Sequence, residues 1–349
     1  MNKRCLKKSW IIRLGMLGVV VALISSAFSP AHADTAKKKI RFGVQTPPEV
    51  SDPADLIKFW QEAEAWGYDS AWTFDHFLPI TGNTKGPCLD GWMLLGALAT
   101  KTSKIRMGVL VTGNTYRNPA VLAKMATTVD LLSNGRLDLG IGAGWFEAEH
   151  TAYGVPFYTA KERTRRLEEA VQIILSLWTQ PETTFDGKYY QIKNAPFEPK
   201  PMQKPHPPIL IGGQGEKWTL PIVAKYADNW NVPLLVNPPK LAALTKTLNG
   251  YCEKFKRDCA KIEKSALRRL VFTDDQKVID QTAQGFAKLR NLPVEDVRAA
   301  LIAGNAEDIK KQIQVYIDAG VTHFIFNTYQ PFDREGLQRF AKEVMPAFR

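Results

Sequence analysis

Ile105-Arg106-Met107-Gly108-Val109-Leu110-Val111-Thr112, then Gly113-Asn114-Thr115-Tyr116-Arg117-Asn118-Pro119, and later Gly140-Ile141-Gly142-Ala143-Gly144-Trp145, decide the fold class of this chain. The first and last runs are short and apolar, as expected of parallel strands buried on both faces. Between them a polar turn leads into a helix over 120–132. Asn118 is placed to cap it and Pro119 suits its first turn. Ser133-Asn134-Gly135 is a stop signal. Strand, loop, helix and strand make one βαβ unit, and the carboxyl edge of such a unit is where α/β folds bind ligands.

The same alternation continues in both directions. Strands are predicted over 40–46, 70–74, 105–112, 137–143, 208–213, 228–232, 269–273 and 323–328. Helices are expected over 54–66, 91–100, 120–132, 161–178, 217–226, 240–256, a group spanning 281–319, and 335–344. Eight strands with eight crossovers is the arithmetic of an α/β (β/α)8 TIM barrel, with a doubly wound open sheet as the alternative. One interruption stands between the fourth and fifth strands. Residues 183–192 contain an Asp186-Gly187 turn and read as a hairpin. A Pro-rich stretch, 196–208, follows, and the two together form an insertion expected to cover one side of the barrel mouth.

The chain has 349 residues and a formal net charge of +11. Residues 1–33 read as a secretory signal peptide. Lys3, Arg4, Lys7, Lys8 and Arg13 form its basic region, 14–28 its apolar core, and Ala31-His32-Ala33 its cleavage site. An uncleaved anchor is the alternative. Lys7-Lys8 stands where a twin-arginine signal would carry arginines. Cleavage after Ala33 leaves 34–349 as a single domain in an exported, periplasmic protein, and the net charge falls to +6. Much of the basicity is therefore targeting, which argues against a nucleic-acid partner. No stable membrane association is expected after cleavage; a small-molecule substrate is, and a homodimer stays open. No Cys/His cluster has metal-ligand spacing. Cys252 and Cys259 are expected on one helix, roughly 10 Å apart along its axis at 1.5 Å per residue, which is too far for a disulfide.

Several residues at predicted strand ends carry chemistry. Asp75-His76 follows the second strand, where a histidine can serve as a general acid or base. Asp75 would fix its ring or line the pocket; the alternative is a helix cap beside a packed histidine. Gly212-Gly213-Gln214-Gly215 follows the fifth strand and leads into a helix, an arrangement that suits an anion. Tyr116 and Arg117 could meet a cofactor. Glu147, Glu149 and His150 offer a second acid/base group, although carboxylates in a first helical turn are ordinary dipole partners, and Glu149 is read that way.

Taken in order, Gln45-Thr46-Pro47-Pro48, Trp72-Thr73-Phe74-Asp75-His76-Phe77, the 112–119 loop, Gly140–Trp145, Ile211-Gly212-Gly213 and Ala227-Asp228-Asn229-Trp230-Asn231 resemble the bacterial luciferase-like superfamily. The likeness is to its branch of deazaflavin (coenzyme F420)-dependent oxidoreductases. The resemblance covers residue 40 to the C-terminus and implies a TIM barrel with the cofactor in its mouth. It also implies a bulge within 108–112, with a non-prolyl cis peptide at Val109–Leu110 or Leu110–Val111. Gly212 and Gly213 match the family's phosphate-binding pair and Asp75-His76 its active-site dyad. The implied cofactor contacts are Val109, Leu110, Val111, Thr112, Asn114, Tyr116, Gly142, Gly144, Trp145, Gly212, Gly213, Gly215 and Asn231. The implied reaction is hydride transfer between coenzyme F420 and a small organic substrate, with His76 exchanging the proton. FMN is the alternative cofactor and would make the chain a monooxygenase. One branch carries a glutamate directly after the Gly-x-Gly strand end; Trp145 stands there, which counts against a sugar-phosphate dehydrogenase. An exported ligand-binding protein without catalysis is the reading from a different class.

Overall fold

The computed structural model describes residues 39–49 and 52–349; the expected signal peptide lies outside the described residues. In chain order the first half comprises β1 Arg41–Gln45, α1 Pro53–Trp66, β2 Ser70–Asp75, α2 Gly91–Lys101, β3 Arg106–Gly113, α3 Pro119–Leu132, β4 Leu137–Gly142, α4 Glu147–Ala152 and α5 Ala160–Thr179. A hairpin follows, β5 Glu182–Asp186 and β6 Gln191–Pro196. Then come β7 Ile209–Gly212, α6 Thr219–Tyr226, β8 Asn229–Val232, α7 Pro238–Phe255 and β9 Glu263–Phe272. The chain ends with α8 Gln276–Arg290, α9 Val294–Ala300, β10 Leu301–Gly304, α10 Ala306–Asp318, β11 His323–Asn327 and α11 Arg334–Glu343.

Strands β1, β2, β3, β4, β7, β8, β9 and β11 pair in that order, all parallel, and β11 returns to β1. This is a closed eight-stranded (β/α)8 TIM barrel. The open-sheet alternative is excluded. Helix α1 shows how local signals set the outer layer. Asp52 accepts from Ala54 N–H and Pro53 opens the helix, while Gly67 closes it at φ 88°. Leu56, Phe59, Trp60 and Ala63 fall on one buried face, and burying each large side chain stabilises by roughly 1.5–3 kcal/mol. Inside the barrel Trp72, Leu110, Leu210 and Ile325 pack together. A Cβ on Gly108 would lie 2.5 Å from the Trp72 ring, so this strand position must stay bare for the tryptophan to fill the barrel.

Three expectations are corrected. The region expected as a helical group contains β10, which pairs with the C-terminal half of β9 outside the barrel ring. The hairpin packs on α5, where Glu169 accepts from the backbone N–H of Lys188, Tyr189 and Tyr190. None of its residues lines the mouth cavity. Cys252 and Cys259 do form a disulfide, with Cα atoms 5.7 Å apart. Helix α7 stops at Phe255, and Lys256, at φ 54°, turns the chain back. The seven-residue spacing therefore spans a reversal and not a straight helix.

The floor of the barrel is polar. Ser70 Oγ lies 2.7 Å from His323 Nε2, and Trp72 Nε1 donates to Ser70 Oγ at 2.9 Å. Arg41 is bonded to Glu263 close by. Burial, reinforced by the Arg41 charge, holds the His323 pKa below its ordinary value of 6.5; Glu263 opposes this without reversing it. The unfolded chain therefore takes up the proton first. Stability from this group is complete above the ordinary imidazole pKa and is lost as pH falls below it. The urea midpoint is expected to drop between about pH 7 and pH 5, and to drop less in His323→Asn. Equal drops in both proteins would remove His323 as the cause.

Candidate active site

The C-terminal ends of the barrel strands surround a cavity of about 480 Å³. Its floor is Leu110 and Val111. The peptide between them is cis, within the stretch where β3 slips its pairing with β4 between Gly108 and Thr112. The Leu110 carbonyl accepts from Gln45 Nε2 at 2.7 Å, and Gln45 Oε1 accepts from Asn327 Nδ2 at 2.8 Å. A short chain of amides thus fixes that carbonyl from two other strands. Gly142 lines the wall beside Val111. A Cβ there would stand 2.9 Å from Val111 Cγ2, so the wall is flat because nothing larger fits.

His76, just beyond β2, lines the cavity and is only 7% exposed. Its Nδ1 lies 2.7 Å from Glu149 Oε1, and Glu149 Oε2 accepts from Phe77 N–H at 2.8 Å. The Tyr116 hydroxyl also donates to Glu149 Oε1. Glu149 is fully buried. Burial alone would raise its pKa, but the bonds from His76, Tyr116 and Phe77 outweigh it and hold the carboxyl below its usual value. Tyr116 is pushed far up, by burial first and the Glu149 carboxylate second. A carboxylate on Nδ1 fixes the proton there and leaves Nε2 as the exchangeable site facing the cavity.

This replaces the expected Asp75–His76 dyad. Asp75 does not line the cavity; Arg117 binds its carboxylate with both terminal nitrogens and the Thr112 hydroxyl donates to it. Burial raises the Asp75 pKa against the pull of Arg117. Arg117 also reaches Asp90 at 3.2 Å and is a structural ion-pair partner, not a cofactor contact. Of the implied cofactor contacts, Leu110, Val111, Tyr116, Gly142, Gly144, Trp145, Gly212, Gly213 and Asn231 line the cavity. Val109, Thr112, Asn114 and Gly215 stand behind the wall. Val109 packs in the outer core, Thr112 holds Asp75, Asn114 meets Tyr190 of the hairpin, and the Gly215 carbonyl accepts from Thr219 N–H.

The turn after β7 forms the other end of the cavity. Gly213, at φ 137°, donates to the Asn231 carbonyl at 3.2 Å, and its own carbonyl accepts from Trp230 Nε1 at 2.7 Å. Both backbone groups are thereby fixed. Gln214 and Thr219 line the cavity beside it, and no side chain caps the start of α6. The first N–H groups of α6, those of Thr219 and Leu220, both go to the Gly215 carbonyl and Pro221 has none, so what this turn offers an anion is the Gln214 and Thr219 side chains at the positive end of the helix. The Asn231 amide donates to Ser265 Oγ at 3.0 Å, which leaves its oxygen for a ligand.

Residues 38–323 match the family described as luciferase-like monooxygenase. The chain belongs to this family. It is 28% identical over 338 residues to the F420-dependent glucose-6-phosphate dehydrogenase of Amycolatopsis mediterranei (strain U-32), covering 89% of this chain and 99% of that one. It is 29% identical over 344 residues to the protein of the same name from Kineococcus radiotolerans, covering 90% and 99%. Among solved structures it resembles an F420-dependent secondary alcohol dehydrogenase in complex with an F420-acetone adduct. The TM-score is 0.79 at 23% identity, with 89% of this chain and 99% of that one covered. These are luciferase-like oxidoreductases, and so is this chain.

Sequence reasoning missed Glu149, Gln45, Asn327 and the α8 residues Phe286 and Arg290 as parts of the site. Glu149→Gln keeps the shape but removes the charge behind His76. Turnover of the cofactor-loaded protein is expected to fall on the order of 100-fold, with cofactor affinity unchanged because Glu149 does not line the cavity. Unchanged turnover would show that the His76–Glu149 contact is only structural. Glu149→Leu strands three donors, on His76, Tyr116 and the Phe77 backbone, and is expected to cost about 1–3 kcal/mol for each in denaturant unfolding.

Proposed function

We propose that this protein is a coenzyme F420-dependent oxidoreductase that transfers a hydride between the deazaflavin and a small organic substrate, with His76 exchanging the accompanying proton. The observation that carries this reading is the pairing of His76 and Glu149 at the edge of a flat, glycine-walled cavity whose far end is the Gly213–Thr219 turn. The residues present fit a flat tricyclic ring with a phosphate tail. Leu110, Val111 and Gly142 would bear the ring, and the turn from Gly213 to Thr219 would take the phosphate. When bound, the deazaflavin supplies or accepts the hydride. The remaining work belongs to the protein. Glu149 steadies His76 as it gains positive charge, and Nε2 gives or takes the proton at the substrate oxygen. The apolar walls hold water away from the reacting carbons.

Relatives that use coenzyme F420 support this choice of cofactor. Their sugar-phosphate substrate is not carried over: the resemblance implies a glutamate in one branch where this chain has Trp145. Export is part of the proposal. The pairing of Cys252 with Cys259 suits the oxidising compartment that a signal peptide implies.

Titration with F420 and with FMN, followed by cofactor fluorescence, tests the cofactor. F420 is expected to bind tightly, and Gly213→Asp to weaken it on the order of 100-fold by backbone strain and repulsion of the phosphate. Preference for FMN would move the function to flavin-dependent monooxygenation; binding of neither would leave a ligand-binding barrel. Peptide mapping of the exported protein without reductant is expected to show an N-terminus at residue 34, Cys252 linked to Cys259, and Cys88 free. Burial, then the Glu49 charge, pushes the Cys88 thiol up to about 12. An intact residue 1, or thiols at both Cys252 and Cys259, would count against export.

A further inference from the structure

The walls of the mouth cavity carry one permanent charge. Apart from His76, every lining side chain is neutral except Arg290, at the end of α8. Arg41, Arg106 and Arg117 have carboxylate partners in Glu263, Asp138 and Asp75, while Arg268 and Arg269 of β9 lie on backbone carbonyls or aromatic rings and do not line the cavity. Arg290 has no ion pair among the described residues. The Trp145 ring centre lies 5.8 Å from its guanidinium carbon, and Tyr329 on the same cavity also feels its charge. The Trp145 ring stands edge-on to His76, with ring centres 5.6 Å apart. Nearby, Ile80, Phe286 and Leu292 complete an apolar wall.

An unpaired cation in a half-enclosed neutral cavity gains most from a ligand that brings the opposite charge. Guanidinium matches a carboxylate through two parallel N–H bonds. On this wall Ile80, Phe286 and Leu292 give the hydroxyls of a sugar body no partner; the cavity's amides on Gln45, Asn231 and Asn327 stand on β1, β8 and β11. We propose that Arg290 determines substrate specificity by binding the carboxylate of a hydroxy acid whose apolar body lies against Trp145 and Phe286 and whose carbinol reaches His76. For its chemistry this rests on the hydride-transfer reading. The carbinol carbon loses its hydrogen with both bonding electrons to the oxidised deazaflavin. The hydroxyl proton passes to His76 Nε2 as the C=O bond forms, so the alcohol is oxidised by the two electrons that reduce the cofactor. The oxo acid is the substrate in the reverse direction.

A carboxylate at this site has a second possible source, the glutamyl tail of the cofactor, and the test separates the two. 3-Hydroxybutyrate, 2-butanol and glucose 6-phosphate are titrated by calorimetry into the purified protein, with and without bound deazaflavin. The same series is run on Arg290→Gln and Arg290→Lys, and cofactors with and without the tail are titrated alongside. 3-Hydroxybutyrate is expected to bind about tenfold or more tighter than 2-butanol. Arg290→Gln should abolish that margin, Arg290→Lys should restore part of it, and 2-butanol should be unaffected. In turnover the loss should fall on KM more than on kcat. Equal binding of 2-butanol, tighter binding of glucose 6-phosphate, or an unchanged margin in Arg290→Gln would overturn the assignment. So would a loss in Arg290→Gln confined to tail-bearing cofactor, which would assign the guanidinium to the tail. Failure of the hydride-transfer reading would show separately as absent deazaflavin binding, while titration of the cofactor-free protein would still report on Arg290.

Discussion

One buried carboxylate holds the mouth of this barrel together. Glu149 is cut off from water and accepts hydrogens from His76, Tyr116 and the Phe77 backbone. These donors sit on the loops after β2 and β3, and Glu149 itself on the helix after β4. Burying a lone carboxylate is expensive, so the charge is tolerable only while all three loops stay where they are. Each loop is thereby placed to better than the reach of a hydrogen bond, and the His76 ring has a single orientation. Next to it Asp75 and Arg117 make a second buried pair across the loops after β2 and β3. The two anions divide the work: Asp75 ties the loops, and Glu149 ties the loops and sets the proton on His76.

The barrel was readable because each inner strand is a short apolar run closed by polar or glycine residues, and predicted boundaries mostly fall within one or two residues of the observed ones. Where the alternation failed, the cause is local. Leu301-Ile302-Ala303-Gly304 is a four-residue strand between two helices, too short to show a period of two. The inner half of β9, residues 263–268, went unread because Arg268 and Glu263 are polar, although each finds partners in the fold, Arg268 the carbonyls of Pro233, Leu234 and Val236. The Cys252–Cys259 link was hidden by Lys256, an ordinary helix former that adopts the left-handed conformation here.

The site shows the same division between local and tertiary information. Positions at strand ends could be listed from the sequence, and most of them line the cavity. Which carboxylate serves His76 could not be read off, since a first-turn glutamate satisfies the helix dipole whether it points out or in. Part of the answer was nonetheless available. Successive residues at a strand end point to opposite faces, so Asp75 and His76 should not share a direction. A partner for His76 then had to come from another loop, and the buried face of 147–152 is the nearest one after the Gly-rich strand end.

The cavity that results is nearly neutral, and this shapes its chemistry more than its size does. Gln45 is bonded at both ends of its amide, and Asn327 and Asn231 through their amide N–H groups, so these side chains are held in place and need not reorganise when a ligand enters. In such a setting an isolated charge is felt strongly. The anion that orients His76 is kept behind the wall, where it cannot repel an incoming anion at close range. The one permanent cation, Arg290, is kept on the wall itself. Exchanging those positions would leave a cavity that repels carboxylates and a histidine without support. The arrangement observed places a cation at the mouth and a carboxylate-backed histidine a single ring away.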